Sequence, residues 1–240
     1  MAMTETVQHY VARQPQLAWR RQIIRSLIRL IGFRALWNVT VTGEDNIPPI
    51  GPAILMMNHI SLIDPVLCMG AVRHRFVIPM SKIENTRNPI IAPFIWFWGA
   101  YTINRGEIDR RALVNSIELL KSGQLILIAP EGTRQTHGLT RPKEGLAYIA
   151  TKADAAIIPA AISGAMDWQQ KLKHFQRPRI HVNFGRAFRF KTDGRVARDT
   201  LPAMTEEAMY QLALAVTDPD LRGVYSDLSQ ATTEHLDFIR

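Results

Sequence analysis

The chain has 240 residues, 47% of them hydrophobic, a formal net charge of +8 and one cysteine, Cys68. That length and apolar share fit one large domain with an ample core and force no second one. A single cysteine excludes an internal disulfide and a cysteine-rich metal site, while the positive balance points to an anionic partner: a membrane surface, a phosphorylated substrate, an acidic carrier protein or nucleic acid.

The first fifteen residues are polar and lack the charged-then-apolar pattern of a secretory signal. Between Glu5 and Glu44 there is no acidic residue, whereas arginines stand at 13, 20, 21, 25, 29 and 34. On a helical wheel Arg21, Gln22, Arg25, Ser26 and Arg29 share one arc, and Ile23, Ile24, Leu27, Leu30 and Ile31 share the other. The pattern predicts a basic amphipathic helix lying in a membrane interface, with apolar residues in the headgroup boundary and arginines on anionic lipid phosphates. The competing expectation is a helix packed on the domain with a solvated arginine face. Gly32 and Arg34 break the pattern, so the helix bends or ends there. Residues 1–36 thus read as a polar segment with a membrane-associating helix, and 37–240 as the main domain with a C-terminal helix and tail.

Within that domain, alternation and β-branching predict a strand over 37–42, and the Pro-rich stretch 47–52 a rigid loop. A buried strand over 54–57 gives way to Asp64-Pro65, a helix-start signal, and a helix over 66–72. Further strands are expected over 76–80, 101–104, 125–129, 156–163 and 180–184, and helices over 109–122, 145–153 and 204–216. This alternation predicts a single α/β domain with a mixed, largely parallel sheet flanked by helices. The most apolar window, 89–103, is too short and too interrupted by Pro89 and Pro93 to span a bilayer.

The stretch Leu55-Met-Met-Asn-His-Ile-Ser-Leu-Ile-Asp-Pro65 holds the first candidate chemistry. His59 falls in a strand-to-helix turn, where a side chain faces the crevice at a strand's carboxyl end. A histidine there serves as a base, and Asp64 orients its ring if the turn folds the two together. The bland alternative makes Asp64 only a helix cap and His59 only a satisfied turn residue. Three more clusters fall at strand ends: Gly99 to Gly106 with Arg105, then Glu131-Gly132-Thr133-Arg134, then Ile158-Pro159. Arginines beside glycine and threonine at strand exits offer a bidentate fork to phosphate, although a lone arginine is more often a surface residue. Cys68 as a nucleophile with His59, giving a thioesterase or hydrolase, is a rival enzymatic expectation. Its setting among Val66, Leu67 and Met69 instead fits a small buried hydrophobe. A non-catalytic lipid-binding or nucleic-acid module is a third, but basic residues interleaved with aromatics are missing.

In order and spacing these motifs resemble the glycerolipid acyltransferase family, in particular the 1-acyl-sn-glycerol-3-phosphate acyltransferases. Asn-His-x-Ser-x-x-Asp-Pro is matched at Asn58, His59, Ser61, Asp64 and Pro65. The second motif is matched at Gly99, Ile103 and Arg105, with Tyr101-Thr102 where a phenylalanine is usual. Glu-Gly-Thr-Arg is complete from Glu131 to Arg134, and the fourth motif is matched at Ile158 and Pro159. The resemblance implies an O-acyltransferase in which His59 is the base and Asp64 its orienting partner. It implies that Arg105 and Arg134 hold the acceptor's phosphate, with Gly132, Thr133, Lys82 and Lys143 as helpers and Glu131 as a brace. Ile95, Phe97 and Trp98, in the apolar stretch 89–98, are candidates for an acyl pocket, with ordinary core the competing expectation. No metal or cofactor is implied. Acyl-coenzyme A or acyl carrier protein would be the co-substrate, lysophosphatidic acid or another lysophospholipid, glycerol 3-phosphate, amino-lipid or glycolipid the acceptor, and the cytoplasmic face of the cell membrane the location.

Overall fold

The computed structural model describes residues 6–89, 91–103, 110–192 and 196–239. The N-terminal helices are α1 (Val7–Ala12) and α2 (Gln14–Leu27), the latter widening into a π-helical segment, Ile28–Leu36, before β1 (Asn38–Thr42). Next come β2 (Ala53–Met57), α3 (Asp64–Ala71), β3 (Val77–Lys82), α4 (Ala92–Trp98) and β4 (Tyr101–Ile103). Then follow α5 (Arg110–Lys121), β5 (Leu125–Ile128), α6 (Leu146–Ala153), β6 (Ala156–Ser163) and α7 (Trp168–Lys173). The chain closes with β7 (Arg179–Phe184), β8 (Phe188–Phe190), α8 (Leu201–Ala215) and β9 (Leu236–Phe238).

Among the described residues the strands form one sheet in the order β1-β7-β6-β2-β5-β3-β4, with β8 pairing β6 and β9. β6, β2, β5, β3 and β4 run parallel, while β7 is antiparallel to β6 and carries β1 parallel to itself. The mixed, largely parallel sheet expected from the alternation is therefore present. β2 and β6 are buried at every position, because a strand with helices over both faces has no wet side, and their unbroken apolar runs reflect that. Pro159 sits inside β6 opposite Met56 without breaking the sheet. Its edge toward β7 meets Gly185, whose N–H donates to the Pro159 carbonyl at 2.8 Å, in the gap between the β7 and β8 pairings. The missing donor falls where the ladder is already interrupted.

The N-terminal helix departs from expectation in its orientation. Arg21, Arg25 and Arg29 face the domain instead of lipid phosphates or solvent. Arg21, buried at 2% exposure, donates to the Trp98 and Gly99 carbonyls at the end of α4. Arg25 donates to Val72 O and Arg29 to Gly70 O at the end of α3. A helix leaves its last carbonyls unpaired and its C-terminus partly negative, so guanidinium groups spaced four apart along α2 and the start of the π-helical segment close two helix ends at once. The apolar arc then points outward: Trp19, Ile23, Leu27, Leu30 and Ile31 are all exposed.

Candidate active site

Sheet polarity gathers the site. His59 follows β2, Glu131 to Arg134 follow β5 beside it, and Lys82 ends β3 beyond, all at the carboxyl edge. Arg105 lies outside the described residues, as does the side chain of Lys82.

The turn after β2 is held from both sides. The Asn58 side chain donates to Ile162 O at 2.9 Å and accepts from Ile162 N at 2.7 Å, a two-way clasp that pins the end of β2 to β6. His59 and Asp64 meet as the turn requires, with Nδ1 to Oδ2 at 2.9 Å. The same Oδ2 accepts the Ile60 N–H at 2.7 Å and the Ser61 N–H at 2.6 Å. Asp64 has no exposure, and its Oδ1 meets no donor. Burial pushes the Asp64 carboxyl up from its ordinary value, against the bonds from His59, Ser61 and Ile60. Because the Ile60 and Ser61 N–H groups are spent on Asp64, neither is available as an oxyanion donor.

The Glu131 turn is built around its own carboxylate. Oε1 accepts from Thr140 N at 2.7 Å and from the Thr140 hydroxyl at 3.2 Å, closing the loop back on its start. Burial pushes the Glu131 carboxyl up, opposed by Thr140 and by the His59 N–H it faces. Glu131 Oε1 thus ties the start of the loop to Thr140. Gly132 has φ +74°, and a Cβ there would lie 2.9 Å from the Lys143 side chain, so glycine lets Lys143 close over the turn. Thr133 and Arg134 are exposed at its tip. The structure thus brings Arg134 and Lys143 to one turn beside the dyad.

Three contacts here carry no sequence signal. Gln135 N–H donates to the His59 carbonyl at 2.7 Å, tying the Arg134 loop directly to the dyad through main chain alone. Leu139 N–H donates to Leu221 O, and the Leu139 carbonyl accepts from Val224 N–H, each at 3.0 Å. The C-terminal segment is thus a strap across this loop, with Gly138 at φ +100° and Gly223 at φ +53° packed backbone to backbone. Conversely, α4 does not bring Ile95, Phe97 and Trp98 to one cavity. Ile95 and Trp98 are buried, with Trp98 Nε1 donating to Val77 O, whereas Phe97 is exposed against Trp19. Cys68 has no exposure and burial holds its thiol far above the ordinary range, so it offers no thiolate for catalysis.

Residues 38–163 match the family model described as Acyltransferase. A 1-acyl-sn-glycerol-3-phosphate acyltransferase of Borreliella burgdorferi is 32% identical over 143 residues, 58% of this chain and 57% of that protein. The alpha enzyme of the same name from Mus musculus is 27% identical, covering 76% of this chain and 62% of that protein. The match thus spans about three fifths of the length of these curated relatives. The crystal structure of a 1-acyl-sn-glycerophosphate (LPA) acyltransferase from Thermotoga maritima shares the fold, with a TM-score of 0.62 at 22% identity, covering 82% of this chain and 79% of that one. With the family model spanning more than half of its length, and the dyad and the Glu131 turn inside the matched region, this chain belongs to the Acyltransferase family.

Proposed function

We propose that the protein transfers an acyl group from an acyl thioester to the free hydroxyl of 1-acylglycerol 3-phosphate, forming phosphatidic acid. The observation that carries this is the 2.9 Å bond from His59 to the buried Asp64, one strand from a turn that presents Arg134 and Lys143. With Nδ1–H committed to Asp64, the imidazole keeps its Nε2 lone pair for a substrate proton. As the hydroxyl oxygen attacks the thioester carbon, Nε2 takes the hydroxyl proton and Asp64 stabilises the imidazolium. Collapse of the tetrahedral intermediate breaks the C–S bond, and the imidazolium proton passes to the departing sulfur. A thioester is already activated, so a positioned base is enough and no protein nucleophile, metal or cofactor is called for. Acyl-coenzyme A or acyl carrier protein supplies the group. Arg134 and Arg105 hold the acceptor's phosphate, with Lys82, Lys143 and Thr133 beside them.

The acceptor is a membrane lipid, and the outward stripe of Trp19, Ile23, Leu27, Leu30 and Ile31 is the surface to meet it. Trp96 and Phe97 of α4 extend the stripe through the Trp19–Phe97 ring contact, so Phe97 serves the membrane face and not an acyl pocket. No helix among the described residues is long and apolar enough to cross a membrane, which leaves an interfacial mode of attachment for them. Because soluble acyl thioesters are cytoplasmic, we place this contact on the cytoplasmic face.

The test is transfer of a labelled acyl group from each donor to lysophosphatidic acid, glycerol 3-phosphate and lysophosphatidylcholine. Preference for lysophosphatidic acid, lost in His59→Ala while the fold and vesicle binding persist, is expected. Transfer to none of them, or substantial turnover by the variant, would overturn the proposal.

A further inference from the structure

We infer that the turn after α7, with Phe175 at its tip, is a second membrane contact that docks on anionic phospholipid and helps direct the sheet's carboxyl edge toward the bilayer. This rests on the membrane-surface proposal above and adds to it a place and an orientation.

The backbone gives the first reason. Helix α7 ends with Gln176 N–H on Lys171 O at 2.8 Å and Phe175 N–H on Leu172 O at 3.0 Å, the closure that puts one residue in the left-handed region. Glycine is the usual occupant because it has no Cβ to clash. Here the occupant is Phe175, at φ +56° and 99% exposed. An aromatic ring in that position costs stability relative to glycine and recovers none by burial within the chain. Its benefit must lie in a contact outside it.

Charge says what that contact is. Lys171, Lys173, His174, Arg177 and Arg179 lie within four residues of Phe175 along the chain, and no acidic residue occurs from 168 to 192. The nearby Asp167 pairs with Lys171 at 3.0 Å, leaving the rest of the cluster positive. An exposed aromatic in a turn rich in lysine and arginine suits a headgroup boundary, the ring below the phosphates and the cations among them.

Topology says where. β6 runs parallel to β2, and the chain passes from its carboxyl end through α7 to the start of β7, so the turn stands at the sheet edge that carries His59 and Glu131. Arg177 donates to the Trp37 carbonyl at 2.8 Å, and Asn38 N–H donates to Pro178 O at 2.9 Å. These bonds fasten the turn to the end of the π-helical segment, which exposes Leu30, Ile31 and Leu36. In sheet order β7 lies on one side of β2, and β3 and β4, joined through the exposed Trp96 and Phe97, lie on the other. Two apolar contacts therefore flank the dyad. Continuity with the helix stripe favours a bilayer over an acidic carrier protein as the occupant.

The test uses the full chain with Phe175→Cys carrying an environment-sensitive fluorophore, Cys68 being buried and unreactive. It is mixed with phosphatidylcholine vesicles, with or without phosphatidylglycerol, and co-sedimentation is followed in parallel. A blue shift with the anionic vesicles, reduced by Lys173→Glu with Arg179→Glu, is expected. Phe175→Gly should keep or raise the Tm while lowering the vesicle-bound fraction about threefold. Sedimentation without an emission change would overturn this inference and leave the membrane-surface proposal standing, whereas failure to sediment would overturn both. A shift with acyl carrier protein but not with vesicles would assign the turn to the donor and overturn the inference too.

Discussion

Asp64 pairs a proposed catalytic position with an unfavourable setting: a carboxylate without exposure whose Oδ1 meets no donor. Burial raises its folded value, so the native state holds that proton more tightly than the unfolded chain. The stability this contributes is fully present below about pH 4, the ordinary carboxylate range, and is lost as pH rises through the folded value. Asp64→Asn is neutral throughout and escapes the loss. Its Tm relative to the native protein should therefore climb between about pH 4 and pH 7, as thermal melts across that range would show. A gap that narrows toward neutrality would refute the assignment. Transfer should fall about 10²- to 10⁴-fold in the same variant, because the imidazolium loses its counter-charge. Arg134, exposed at the turn tip, is a residue of the other kind, with little structural role. Arg134→Ala should raise the acceptor KM about tenfold or more by deleting a charged phosphate contact, with the donor KM within about twofold. Steady-state kinetics with each substrate varied would check this, and equal effects on both would count against the phosphate role.

At the scale of elements, the two devices that organise the site act through main chain. Arg21, Arg25 and Arg29 close the ends of α3 and α4, and α3 carries Asp64 at its start, so the outward-facing helix and the dyad share one supporting element. The C-terminal strap does the same for the Arg134 loop. At Gly223 an added Cβ would fall 2.2 Å from the Leu139 carbonyl oxygen, at a φ that L residues avoid. Gly223→Ala should cost about 1–3 kcal/mol. It should also raise the acceptor KM more than the donor KM, since the displaced loop carries Arg134. A lower Tm with both constants unchanged would make the strap a stabilising feature only. None of this was legible in the sequence. The 21, 25, 29 spacing marked an amphipathic helix, but the carbonyls that turn its arginines inward belong to helices some 40 to 78 residues away. Gly138 and Gly223 were unremarkable alone, because their shared contact joins segments 85 residues apart in the chain.

For the whole molecule, the inverted helix changes how membrane binding should respond to salt. Arginines on lipid phosphates would be screened within a Debye length of about 8 Å at physiological ionic strength. An apolar stripe of Trp19, Ile23, Leu27, Leu30 and Ile31 is not screened. Binding to phosphatidylglycerol-containing vesicles should therefore persist in large part at about 0.5 M salt, and fall when Ile23 and Leu30 are replaced by Ser. Co-sedimentation across a salt series distinguishes the two, and complete release by salt would restore the electrostatic picture.

By itself the sequence determined the strand and helix alternation, the parallel core and the His59–Asp64 pair, because each is written in residues close together or in a repeating local pattern. The turn residues between 58 and 65 contain both the acceptor Asp64 and the N–H donors it needs. Tertiary structure alone decided which face of the N-terminal helix turns outward, how the C-terminal strap holds the Arg134 loop, and that Phe175 stands exposed beside the end of the π-helical segment. Those outcomes depend on which distant carbonyls are left unpaired once the sheet has formed, and no local pattern encodes that.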